Sequence, residues 1–519
     1  MNRTRGILAS VMSVALFGTV LTACSTGTDK SAESTGSKSD GTSSKMEKVV
    51  IALPSFNKIP DDMSSINEAI NKITTKKINV QVDFKVYGPA DYAQKVNLAL
   101  QSGEQLDLFT SPGQFPSYAA KKQLYPLEDL ISKYGQETKA ILDKDFGEGL
   151  LKATTMNGHI YGIPANKGMS VPLNFVYNAD MLKDSGFSAD DVKSVNDLPK
   201  IFDAVKKKYP DVVPFAPINV NPSDTNLVRL LRGTSDIDLL TDESGVGVVV
   251  GNNNKVVNLY ETDVFKNGVN MMRDWYNKGY LQKDAATTST NYADLVSSGR
   301  GFSTLGGYSG LEAGKAVSAQ TGKNIAMKRI APFYFDTQAV DFVVWMMSST
   351  TKVPDAGMKV LNLTYTDKDL LNTMLYGVEG RDYVKVDDHH VKYPDGKDAA
   401  SVPYTAQLSS GILGSESLQY LLEGADWKDT EFKLKENKET KRSPYFGFIF
   451  DQSSVKTELS AVNNVVNQYI PGLITGVLDP ETTIPKFVKA LNDAGAQTII
   501  QKKQEQLDKW IAEQKNKKW

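Results

Sequence analysis

Hydrophobic positions along the chain change period in a regular order. Residues 48–53 form a Val- and Ile-rich apolar run closed by Pro54, the pattern of a buried strand. A loop, 55–60, follows; Asp61 and Asp62 then open a stretch in which Met63, Ile66, Ile70 and Ile73 share one helix face. Val80, Val82, Phe84 and Val86 alternate with their neighbours, which predicts the next strand. A helix over 90–101 and a third strand over 105–110 complete the series, ending at Ser111-Pro112-Gly113. Strand, helix, strand, helix, strand is the opening of an α/β sheet wound in one direction. Ligands of such sheets collect beyond the carboxyl ends of the strands, so loops 55–60 and 111–115 are candidate ligand loops. The middle of the chain predicts helices over 197–208 and 263–278 and carries no low-complexity linker, so domains must be joined by short crossovers. Towards the C-terminus Val455, Leu459, Val462, Val466 and Tyr469 share a face before Pro471-Gly472, where the helix is expected to stop. Ile484, Phe487, Val488 and Leu491 repeat the pattern, and Trp510 and Ile511 are placed to dock a final helix.

The N-terminus follows a different rule. Arg3 and Arg5 precede an apolar run over 7–20 that Ser10, Ser13 and Gly18 dilute, as in an export signal. The run is shorter than the roughly 20 residues that a spanning helix needs. It leads into Leu21-Thr22-Ala23-Cys24, which resembles the lipobox of bacterial lipoproteins and holds the only cysteine of the chain. That resemblance implies a signal peptide over 1–23 and a lipidated Cys24. Residues 25–45 are almost entirely Ser, Thr, Gly, Lys, Asp and Glu, so 24–45 is expected to be a flexible tether, with the folded part starting near Met46. A diacyl anchor on Cys24 would hold that part against the lipid bilayer, on the outer face of the cell membrane.

Charge narrows the function classes. The 59 Lys and Arg against 61 Asp and Glu give a net charge of -2, too balanced for the basic stripe of a nucleic-acid binder. At 519 residues, 40% hydrophobic and 23% charged, the chain reads as an ordinary globular protein divided into about two large lobes. One cysteine permits no internal disulfide and no cysteine cluster, and three histidines leave few metal ligands. Catalytic signatures fail on inspection: Gly310-Leu311-Glu312-Ala313-Gly314-Lys315-Ala316 is one residue short of a phosphate loop and has Ala where Ser or Thr must hold Mg²⁺. Asp387-Asp388-His389-His390 reads as a solvated loop ahead of Tyr393-Pro394. No cofactor and no metal are assigned, and nothing singles out a catalytic carboxylate pair.

Several motifs carry a family likeness. In the first part stand 91–103, Asn157-Gly158-His159-Ile160-Tyr161-Gly162-Ile163-Pro164 and Val176-Tyr177-Asn178; with the lipobox these resemble the family 1 extracellular solute-binding proteins of ABC importers. The tail, with Tyr376-Gly377-Val378-Glu379-Gly380-Arg381-Asp382-Tyr383, Tyr445-Phe446-Gly447-Phe448-Ile449-Phe450-Asp451 and the ending Gln506-Leu507-Asp508-Lys509-Trp510, resembles the Gram-positive lipoprotein branch with a DUF3502-type C-terminal region.

The resemblance implies a type II periplasmic-binding-protein-like fold. Two discontinuous α/β lobes would be joined by a hinge, with a sugar or oligosaccharide in the cleft and a membrane permease receiving the loaded form. The first lobe is expected over 46–168 plus 340–400, the second over 169–339 plus 401–519. The chain would cross near 165–171, return near 335–345 and cross again near 402. A monomer without enzymatic activity is expected; a peptide or other cargo, an extracellular sensing role and a surface glycosidase are the competing readings.

A sugar offers an apolar C–H face and a polar rim, so its site pairs flat aromatics with amide, acid and guanidinium groups. The candidates are Phe56 and Asn57 on the first strand-end loop, and Gln114 and Phe115 on the third. Tyr308 stands where sugar-binding relatives place a stacking aromatic, Trp345 on the returning strand, and Phe446 and Phe448 at a tail position with cleft aromatics. For each aromatic, packing in a lobe core is the competing role. Arg381 is a candidate for an acidic ligand group, or a partner of Glu379.

Overall fold

The apolar run after Met46 becomes the strand Glu47–Pro54, buried from Val49 onward because it has a parallel neighbour on each side, Val80–Tyr87 and Leu108–Thr110. The computed structural model describes residues 46–55, 58–60, 63–110, 112–216, 226–405 and 413–516. Residues 1–45, and with them the signal segment, Cys24 and the tether, lie outside the described residues, as do Phe56 and Asn57.

The first sheet has five strands in the order Val80–Tyr87, Glu47–Pro54, Leu108–Thr110, Val344–Met347, Gly162–Pro164, with Val344–Met347 antiparallel to both its neighbours. The third strand starts at Leu108, later than predicted, because the Asp107 carboxylate accepts the Val50 N–H at 2.8 Å in place of a ladder carbonyl. The helix Ser64–Ile78 buries Ile66, Ile70 and Thr74, and Asn79 ends it in the left-handed region at φ 54°. The second sheet has the order Ile325–Ala331, Leu173–Asn178, Gly301–Gly307, Val213–Phe215. Every residue of its strand Leu173–Asn178 is buried. Behind it Phe202 packs edge-on against Trp275, ring centroids 5.2 Å apart, so Trp275 is a core residue.

Three helices, Lys456–Ile474, Pro480–Asp493 and Ala496–Asn516, close the second core. The first of them runs past Pro471, where a stop was expected. Proline removes one main-chain hydrogen bond, but Leu473 and Ile474 beyond it are buried, and Thr475 Oγ1 donates to the Pro471 carbonyl at 2.6 Å.

Burial separates two principal cores: one drawn from 49–169 and 335–420, the other from 173–331 and 445–507, with Phe446 packed into the first. The chain passes between them near 169–173, 331–335 and 443–448. The last passage was expected near 402. Segment 401–420 instead stays with the first core, where Tyr404 donates to the Met374 carbonyl at 2.6 Å and Leu413 and Tyr420 are buried. The second and third passages run side by side: Phe335 N donates to the Lys441 carbonyl at 3.0 Å and Ser443 N to the Phe335 carbonyl at 2.9 Å.

Charge is buried beside them. Arg232 pairs with Asp336, and Ser443 donates to Asp238. Burial, and then the negative charge of Asp336, push the Asp238 carboxyl up to about 6. Deeper in the second core, Lys503 has no exposed surface; it meets Asp242 at 2.9 Å and donates to the Gly247 carbonyl at 2.8 Å. Gly247 sits at φ 88°, and a Cβ there would lie 2.7 Å from Lys503 Cδ, so only glycine admits the lysine. No helix of the described residues is long and apolar enough to cross a membrane.

K503M leaves Asp242 buried without its cation and is expected to cost about 3–5 kcal/mol in urea unfolding, with K503M/D242N recovering most of it. Asp238 titrates with the opposite sign to a salt-bridged acid. Its folded pKa is raised, so its stabilising contribution is complete below the unfolded value of 3.8 and is lost as pH rises through about 6. D238N is therefore expected to gain on the parent by about 3 kcal/mol between about pH 4 and about pH 7.5. A constant gap across that range would show that Asp238 is not the buried acid responsible.

Candidate functional site

The third strand of the first sheet ends at Thr110, and Pro112, Gly113 and Gln114 carry the chain into the helix Phe115–Ala120. Gly113 N donates to the Phe342 carbonyl at 2.9 Å, and the Phe342 ring lies over Gly113, 3.6 Å from where a Cβ would stand. Phe342 is 55% exposed, a rare state for a phenylalanine, and follows the short helix Thr337–Asp341, capped by Asp336. These residues form one side of a cavity of about 820 Å³, within the range of small-molecule sites.

The facing side comes from the second core. The turn 238–244 places Thr241, Glu243 and Ser244 on the cavity, and the C-terminal part adds Gln452, Ser453, Asn463 and Asn467. Leu240 and Thr241 hold φ values of 54° and 59°, a left-handed conformation costly for a leucine and more so for a β-branched threonine. The turn keeps it because each residue is held. Leu240 N donates to Asp238 Oδ1 at 2.7 Å, Phe450 N to Thr241 Oγ1 at 2.9 Å, and Ser244 Oγ to Asp242 Oδ2 at 2.9 Å, with Lys503 behind Asp242. Gln338 Nε2 reaches across the cavity floor and donates to Glu243 Oε1 at 2.6 Å.

Two acceptors at the cavity are unsatisfied. Gln338 Oε1 is buried without a partner. The carboxyl of Asp341, a residue only 4% exposed, finds no hydrogen-bond partner among the described residues. Burial first, then the charges of Asp336 and Glu243, push its carboxyl well above the usual carboxylate range. An acceptor-rich, mostly shielded wall beside one exposed aromatic ring suits a molecule with many hydroxyl donors and an apolar face. Among the described residues no group of three His, Cys, Asp or Glu is placed to hold a metal ion.

Of the candidate residues among those described, only Gln114 lines this cavity. Tyr308, half-buried, lines a separate concavity of about 620 Å³ with Asn174, Arg329 and Phe432. There Asn174 Nδ2 donates to its carbonyl at 3.0 Å, and burial raises its phenol. The other aromatics take the core role. Phe115 packs on the outer face of the first sheet, and Trp345 is buried in the first core, its indole N–H without a partner. Phe448 meets Trp510 edge-on inside the second core, with ring centroids 6.0 Å apart. Phe446 stacks on Phe335 with the Arg442 guanidinium 5.0 Å from its ring. Arg381 is bound to Asp382 and donates to Ser65 Oγ at 2.5 Å, so its charge is taken up within the first lobe; it does not pair with Glu379, whose partner is Lys385. Sequence reasoning missed Phe342, Asp341 and Gln338. All three fall within 335–345, the stretch where the return was expected and just past the observed passage near 331–335, and no motif in that stretch singles them out.

The comparisons with known proteins agree with this architecture. A family described as bacterial extracellular solute-binding protein matches residues 68–377, and a domain of unknown function, DUF3502, matches 444–512. A carbohydrate ABC transporter substrate-binding protein of Streptococcus pneumoniae serotype 4 is 29% identical over 513 residues, 98% of each chain. The crystal structure of the N-glycan transport solute-binding protein NgtS from Streptococcus pneumoniae superposes with a TM-score of 0.73 at 27% identity, covering 90% of this chain and 99% of that one. A second structure of NgtS, in complex with Man5GlcNAc, gives a TM-score of 0.61 at 27% identity over 91% of this chain and 99% of that one. With the solute-binding match spanning more than half of the chain, and the likeness of its tail to DUF3502 proteins met at 444–512, the protein belongs to the bacterial extracellular solute-binding proteins.

Proposed function

We propose that the protein is the substrate-binding lipoprotein of an ABC importer: it captures an oligosaccharide in the cavity beside Phe342 and delivers it to a membrane permease, while Cys24 anchors it on the outer face of the cell membrane. The observation that carries the cargo is the pairing of an exposed phenyl ring with shielded, unsatisfied acceptors, Asp341 and Gln338 Oε1, in one cavity of about 820 Å³. The ring takes the C–H face of a pyranose or furanose, and the acceptors take its hydroxyl protons. The complex of NgtS with Man5GlcNAc supports an oligosaccharide over a single sugar. The Gln338–Glu243 hydrogen bond joins the two sides of the cavity, and a solute that touches both sides adds its own contacts across it, which favours the loaded form by differential binding.

A thermal-shift screen of residues 46–519 against N-glycans, fructo-oligosaccharides and peptides tests the cargo. A ligand at a hundredfold its dissociation constant stabilises the fold by about 2.7 kcal/mol. One glycan class is expected to shift the melting temperature; a shift with peptides alone would assign a different cargo. F342A is expected to weaken the binding about tenfold, or about 1.4 kcal/mol, in calorimetry, and to leave the unliganded melt unchanged.

D341N is expected to act in two directions. Its raised folded pKa means that the parent binds a proton on folding and loses that stabilisation as pH rises, so D341N gains on the parent as pH climbs above the unfolded value of 3.8. The charged groups around it are Asp336, itself paired with Arg232, Glu243 from the turn, and Lys121 and Lys456 on the cavity rim. Glycan affinity is expected to fall in D341N, and the parent's affinity to rise with pH as the carboxylate forms. Equal affinity in parent and variant at every pH would remove Asp341 from the site.

A further inference from the structure

We infer that the C-terminal region 444–512, matched only as a domain of unknown function, is the cargo-reading wall of this receptor, contacting the solute through one polar stripe of the helix Lys456–Ile474 and holding the opposite turn in place through Lys503. The inference rests on the proposed reading of the cavity and deepens it.

The helix divides its residues by face. Leu459, Val462, Val466, Ile470 and Leu473 are buried in the second core. Lys456, Asn463 and Asn467, spaced seven and four apart, lie on a neighbouring face, are exposed and line the cavity. The side chains of Asn463 and Asn467 have no hydrogen-bond partner among the described residues, so neither carboxamide is occupied in maintaining the fold. A carboxamide carries both donor and acceptor and matches either sense of a sugar hydroxyl. Pro471 adds to this stripe, because it has no N–H to offer the carbonyl of Asn467 four residues earlier. Across the cavity stand Gln114 and Phe342 of the first side, so a solute seated on the phenyl ring meets the stripe with its polar edge.

The same region builds the second feature. The turn 238–244 is strained at Leu240 and Thr241 and stays in that conformation only if its contacts over-determine it. Two of those contacts come from 444–512: the Phe450 N–H on Thr241 Oγ1, and the Lys503 ammonium on Asp242 together with the carbonyls of Leu239, Val246 and Gly247. Lys503 reaches no solvent and no solute. It is a positioning residue for Thr241, Glu243 and Ser244.

The test uses residues 46–519 with Man5GlcNAc and kestose as probes, read by calorimetry and by the unliganded melt. N463A/N467A is expected to melt like the parent and to bind the recognised probe at least tenfold more weakly. The control N464A/Q468A alters exposed amides of the same helix that are not on the cavity, and is expected to bind as the parent does. K503M/D242N, which strands no charge, is expected to melt near the parent and still to lose affinity, because the turn is no longer held. Parent-like binding by N463A/N467A, or an equal loss in the control, overturns the inference and leaves the receptor reading intact. Failure of the parent to bind either probe or any glycan of the wider screen overturns both.

Discussion

A buried lysine holds much of this structure in place. Taking an ammonium out of water is costly, and the cost is met only where the geometry is good and every N–H finds an acceptor. Lys503 meets those terms with one carboxylate and three main-chain carbonyls that converge on it from 239–247. The arrangement demands a glycine at 247, a left-handed turn at 240 and 241, and a final helix docked closely enough to insert the side chain. A polypeptide that satisfies all of these at once fixes the relation between its last helix and the wall of its cavity.

Local order was largely legible in the chain. Alternation at Val80, Val82, Phe84 and Val86 and the 3.6-residue spacing of Ile66 and Ile70 report burial of one face, and periodicity responds to burial directly. The order strand, helix, strand, helix, strand then follows, and with it the loop that bears Gln114. The limits were tertiary. The helix through Pro471 continues because of what packs beyond it, which spacing before the proline does not reveal. The passage placed near 402 moved to 443–448 because Tyr404 and Tyr420 bury their rings in the first core, where Tyr404 donates to the Met374 carbonyl and the Tyr376 hydroxyl to the Tyr420 carbonyl, and a tyrosine reads equally well as surface or interior.

The same ambiguity governed the site. Phe115 was chosen for its strand-end loop, Trp345 for the returning strand, and Phe446 and Phe448 for a tail position where relatives place cleft aromatics; at each, either role is open to an aromatic ring. The cores took all four, and the exposed ring proved to be Phe342, between Asp341 and a run of buried strand residues. What distinguishes it is the glycine opposite: with no side chain at 113, the ring rests against the loop backbone and stays outside the core. That is a property of two segments meeting, more than two hundred residues apart in sequence, and it has no signature in either segment alone.

The side-by-side passages at Phe335 and Arg442 carry a mechanical consequence. Two segments tied by main-chain hydrogen bonds about one bridge bend as one leaf, since a dihedral change in either must be matched by its neighbour or a bond is broken. Such a leaf resists sliding and twisting far more than flexing. Between the two cores that this leaf joins, the motion it opposes least is therefore a change of angle.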